Sequence, residues 1–129
     1  MRTINEVGME ILSGNPKGFY VFLGPEYGIK CKYIDSLKHH YGDLKEYPSV
    51  NSLLKMFNTR RLIPLSPCVY VVRYDEDFLS SLSEKTKSTI HKTDFIGTVV
   101  CIYEGDKAAA KISKYIGDYA VQVDPVNPD

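Results

Sequence analysis

The chain has 129 residues, 43% hydrophobic and 25% charged, with 16 basic side chains against 16 acidic ones. This is the composition of one soluble globular domain, able to bury about two-thirds of its unfolded surface. The neutral balance excludes the electrostatic footprint of a dedicated nucleic-acid binder. No apolar run reaches membrane-spanning length, and residues 1–12 lack the form of a signal peptide. Cys31, Cys68 and Cys101 have neither zinc-ligand spacing nor the even number of a disulfide framework, so a reducing, cytoplasmic setting is expected.

Thr3 and Glu6 have the spacing of a capping box, and Ile4, Val7, Ile11 and Leu12 recur at helical spacing, predicting a short amphipathic helix. Turn residues follow from Ser13 to Gly18. Phe19 to Leu23 is a short apolar run bounded by turn signals on both sides, which reads as a buried strand. Gly24 and Pro25 break it. A second helix is expected to carry Ile29, Tyr33, Ile34 and Leu37 and to end near Gly42. Val50, Leu53, Leu54 and Phe57 predict a third, with Ser49 as N-cap after Pro48.

Val69 to Val72 is the next strand. Asp75 to Lys92 holds one or two helices, marked by Phe78, Leu79, Leu82 and Ile90. Gly97 to Tyr103 is a further strand. Lys107 to Tyr115 is helical through Ala108, Ala109 and Ala110, and Gly117 ends it. Tyr119 to Val123 is the last strand. Strands alternating with helices predict an α/β domain over 1–123, with a mostly parallel sheet flanked by helices. The polar, proline-rich stretch 124–129 reads as a linker or truncated tail.

The run Gly24-Pro25-Glu26-Tyr27-Gly28-Ile29-Lys30-Cys31 lies where a strand would hand a phosphate-binding loop to a helix. Such a loop needs four residues between its glycines, then Lys at once, then a hydroxyl for magnesium. Here three residues separate the glycines, Ile29 precedes Lys30, and Cys31 replaces the hydroxyl. A tight strand-to-helix turn, without bound cofactor, is the expectation. Asp75 and Glu76 after an apolar strand echo the acidic strand end of ATPases, but Arg73 and Tyr74 shift the register, so an acidic helix cap is expected. His39 and His40 are adjacent near a helix end and point to different faces, which favours a surface position over a metal site. No catalytic constellation stands out, and the chain is read as a non-enzyme.

Ser52 to Leu65 leaves two readings open. Met56 and Phe57 are adjacent apolar residues at a helix end and cannot both occupy the centre of one face. Either both seal the core under the following strand, or they form an apolar wedge for a partner's pocket, with at least one of them substantially exposed.

Phe19-Tyr20-Val21-Phe22-Leu23-Gly24-Pro25-Glu26 resembles the first strand and turn of the delta subunit of the bacterial-type (DNA polymerase III) clamp loader. Ser52 to Arg61, leading through Leu62 and Ile63 to Val69-Tyr70-Val71-Val72-Arg73, resembles its clamp-contacting helix and next strand. Gly97 to Tyr103 and Tyr119 to Val123 match later strands in order and spacing. The resemblance implies an AAA+-like ATPase fold with a degenerate nucleotide site. It implies that Met56 and Phe57 enter a pocket on the ring-shaped sliding clamp, with Leu53, Arg60 and Arg61 also contacting it. The family's pair is often Leu-Phe, and Met matches Leu closely in volume. The family chain continues into a helical domain and a collar that joins the other loader subunits. Neither lies within these residues, which points to one domain of a longer chain or to a reduced, phage-encoded form.

The leading expectation is therefore a non-catalytic clamp-binding module in DNA replication, with DNA contacted only indirectly. Its rivals are a phage-encoded clamp inhibitor and a nucleotide-binding switch.

Overall fold

The computed structural model describes residues 1–59, 64–105 and 107–124. Five strands form one parallel sheet: β1 (Phe19–Leu23), β2 (Leu44–Glu46), β3 (Cys68–Arg73), β4 (Gly97–Ile102) and β5 (Ala120–Gln122), in the order β2-β3-β4-β1-β5. Among the described residues six α-helices connect or flank them: α1 (Ile4–Leu12), α2 (Tyr27–Tyr41), α3 (Val50–Phe57), α4 (Glu76–Ser80), α5 (Glu84–Lys92) and α6 (Ala109–Ile116). The expected α/β class with a parallel sheet is what the chain adopts.

The central strands β1, β3 and β4 read as largely apolar runs because the sheet is covered on both faces, as parallel sheets require. Alternate residues divide between two cores. Phe19, Val21 and Leu23 of β1 face one way, with Tyr70, Val72, Val99 and Cys101, and are covered by α3, α4, α5 and α6. Tyr20 and Phe22 face the other way, with Val69, Val71, Val100 and Ile102, and are covered by α1 and α2.

Local signals set most helix ends. Thr3 caps α1 by accepting from Glu6 N at 3.2 Å. Gly42 closes α2 in the left-handed conformation, φ 86°, which glycine adopts without a Cβ clash. Asp75 caps α4 through Phe78 N at 3.1 Å. This is the acidic helix cap anticipated for Asp75 and Glu76.

Four details differ from expectation. Leu12, assigned to the apolar stripe of α1, is 52% exposed, because the helix turns about 100° past the buried Ile11 and carries it off the face that Val7 and Ile11 share. The edge strand β2 carries no apolar run and is held by parallel pairing to β3 alone. The helix expected from Lys107 starts at Ala109, since Lys107 and Ala108 form a turn. Gly117 ends α6 as expected, but Tyr119, expected to open the last strand, belongs to a 3-10 turn, Gly117–Tyr119, and β5 begins at Ala120. The expected tail falls mostly outside the described residues. Its first member, Asp124, accepts from Gln122 Nε2 at 2.9 Å.

Candidate functional site

The topology singles out one place in the sheet. The connection from β1 leaves through α2 on one face, while the connection from β4 leaves through α6 on the other. Adjacent strands β1 and β4 therefore form a topological switch point, and open α/β sheets commonly bind ligands in the crevice beyond the carboxyl ends of such strands.

A cleft of about 280 Å³ lies there, lined by Leu23, Tyr74, Glu76, Tyr103, Glu104 and Lys107, but the turn from β1 to α2 beside it is closed by its own groups. Gly24 leaves β1 at φ 90°, and a Cβ at that position would collide with the Val123 carbonyl. Gly24 N donates to Gly105 O at 3.2 Å, tying the ends of β1 and β4 together. Glu26 caps α2, its carboxylate accepting from Gly28 N at 2.7 Å. Lys30 runs back under the turn with 1% of its surface exposed. Its ammonium donates to the Gly24 carbonyl and to Tyr103 O, the latter at 2.8 Å. Burial pushes the Lys30 pKa below the usual lysine value, against the opposing pull of Glu104 and Glu26. The lysine and the helix amide that a phosphate would need are both engaged by the protein itself.

The second candidate lies at the end of α3. Ser49 caps this helix by accepting from Ser52 N at 3.2 Å. Val50 N donates to Asp75 Oδ2 at 2.8 Å, so one carboxylate holds the starts of both α3 and α4. Val50, Leu53 and Leu54 form the buried stripe. At the far end Asn58 Nδ2 donates to Leu54 O at 2.7 Å and to Thr93 Oγ1 at 2.9 Å, pinning α3 to the end of α5.

Met56 and Phe57 are both half-buried, and neither is substantially exposed. Phe57 packs edge-on against Tyr70, centroids 5.3 Å apart, and against Phe95 at 5.6 Å. The Tyr47 hydroxyl approaches Met56 Sδ at 3.9 Å. The substantial exposure expected of at least one anchor is therefore corrected: aromatic rings from β3 and the loop before β4 cover the inner side of the pair. Leu53 is corrected more fully. It is 0% exposed, in the core with Val50 and Leu54, and in this fold it seats the helix instead of meeting a partner. Arg60 and Arg61 lie outside the described residues.

His39 and His40 are exposed at the end of α2. Cys31, Cys68 and Cys101 are free thiols. Among the described residues no helix is long and apolar enough to cross a membrane.

The sequence reading overlooked Lys30 as a core residue. Its signal was present, since Lys30, Ile34 and Leu37 repeat at the spacing of one helix face and all three are buried.

No family profile and no curated protein matches the sequence. Among solved structures, the chain is similar to the Bacillus subtilis DNA clamp loader delta protein (YqeN), with a TM-score of 0.64 and 13% identity. The match covers 95% of this chain and 43% of that protein, so the chain spans less than half its length. At this identity the likeness is one of fold.

Proposed function

We propose that this chain is a non-catalytic, sliding-clamp-binding module of a clamp loader, supporting processive DNA replication. The observation that carries the reading is the likeness of fold to a clamp loader delta protein along 95% of the chain. The end of α3 supplies the contact. Met56 and Phe57 keep part of their surface open there, against an aromatic backing that fixes their direction. A preorganised apolar anchor loses little freedom on docking, which favours affinity. Arg60 and Arg61 follow in sequence and act as rim contacts. The remaining loader subunits are reached through regions beyond these residues, and DNA only through the assembly.

The turn from β1 to α2 supports the non-catalytic side of the reading. A nucleotide there would have to displace the Glu26 carboxylate from Gly28 N and pull Lys30 from two carbonyls. This disfavours the nucleotide switch as a rival and supports reading the site as a degenerate one.

Surface plasmon resonance against the sliding clamp, with circular dichroism as the folding control, tests the reading. Met56→Ala with Phe57→Ala is expected to weaken binding about thirtyfold, roughly 2 kcal/mol. Because Phe57 also supports the core, Phe57→Leu and Met56→Ala singly serve as folded alternatives. No binding by the wild-type chain, or unchanged affinity in the folded variants, would overturn the proposal. Inhibition of clamp loading by the bound chain would favour the phage-inhibitor alternative.

A further inference from the structure

A second surface adjoins the end of α3. A groove of about 670 Å³ runs between α3 and α5, floored by Leu54 and walled by Lys55, Asn58, Lys85, Thr86 and Thr89. That volume is within the range of clefts that hold ligands, roughly 300–1,000 Å³. Asn51 Nδ2 reaches Ser81 Oγ at 3.5 Å and closes one end.

The charge of this groove is one-sided. Lys55 and Lys85 line it, and no Asp or Glu among the described residues does. Neither ammonium makes an ion pair or hydrogen bond among the described residues, as is also true of Lys32, Lys38, Lys45 and Lys87, and what sets Lys55 and Lys85 apart is that they share one groove. Glu84, beside Lys85 in sequence, lines a separate cleft with Lys87 and His91. The chain as a whole is neutral, so the groove is a local excess and not part of a basic field.

We infer that the α3–α5 groove binds an extended acidic segment of a partner protein. Two carboxylates of the segment pair with Lys55 and Lys85. The Thr89 hydroxyl and the Asn58 amide oxygen face its backbone, while the Asn58 amide nitrogen and the Thr86 hydroxyl stay bonded to the protein, and Leu54 offers an apolar floor. A nucleic-acid strand fits less well, because its affinity depends on neutralising many phosphates and, among the described residues, two cations line the groove. This goes beyond the clamp-binding reading and does not depend on it.

The probe is a short fluorescein-labelled peptide of alternating glutamate and leucine, titrated into the full chain and read by anisotropy and by amide shifts. Saturable binding is expected, falling steeply with salt. Shifts should centre on Asn51, Lys55, Asn58, Thr86 and Thr89. Lys55→Glu with Lys85→Glu should weaken binding at least about tenfold. Both side chains are exposed, and Lys55→Gln with Lys85→Gln, which adds no repulsion, should weaken it by less. Met56→Ala should leave it unchanged. The inference is overturned by absent saturation, by full affinity in the charge-reversed chain, by shifts elsewhere, or by tighter binding of an oligothymidine strand to the same lysines. None of these assays contains the clamp. A chain that binds clamp but not peptide defeats this inference alone, and the reverse defeats the clamp reading alone.

Discussion

The first turn of α2, just after β1, and the last turn of α3 each carry a lysine, and the fold uses the two in opposite ways. Lys30 is directed inward onto the carbonyls of Gly24 and Tyr103 and is almost fully buried. Lys55 stands in solvent beside a groove without a described carboxylate. The same contrast holds for the neighbouring groups. Glu26 satisfies its own helix, whereas Met56 and Phe57 stay half open. A charged residue at a classical ligand position is thus a structural strut when backbone carbonyls absorb its donors, and the surface available for recognition lies elsewhere.

The sharpest way to break this comparison is to remove the strut. Lys30→Ala leaves two buried carbonyls unpaired and a cavity, and should lower unfolding stability by about 2–4 kcal/mol in denaturant titration. A loss within error would mean that Lys30 is not structural. The pH dependence sharpens the same point. Burial lowers the folded pKa of Lys30, so the unfolded chain binds its proton more tightly. Stability should therefore rise with pH from the folded value up to the ordinary lysine value, and Lys30→Met should lack that slope.

Phe57→Ala comes next. Its ring contacts Tyr70 and Phe95 but is only half-buried, so a loss of about 2 kcal/mol is expected, below that of a full core phenylalanine. A neutral effect on stability would place Phe57 wholly on the recognition side of the comparison. Met56→Ala should cost the fold about 1 kcal/mol or less while weakening clamp binding about tenfold. Equal losses in both assays would assign Met56 to the core. The smallest effect is expected from magnesium-ATP. Calorimetry should record no micromolar binding at the turn Gly24 to Lys30, since its amide and ammonium are already engaged. Measurable heat that vanishes in Lys30→Met would reverse the reading of that turn.

Much of this molecule was legible one element at a time. The apolar runs Phe19–Leu23 and Val69–Val72, the caps Thr3, Ser49 and Gly42, and the broken spacing around Gly24 and Lys30 are local signals, carried by neighbours within a helical turn or a strand. Periodicity and capping chemistry act over that range, so sequence alone determined the element types and the parallel α/β class. It left open whether Met56 and Phe57 face a partner or the core. It gave no sign of β2, whose Leu44–Glu46 has no apolar run. Strand order, the meeting of β1 with β4, the aromatic backing of Phe57 by Phe95, and the groove between α3 and α5 all join residues far apart in the chain. The tertiary structure decided these, because pairing and burial depend on which surfaces meet after the chain has closed on itself, and no short window of sequence contains both partners.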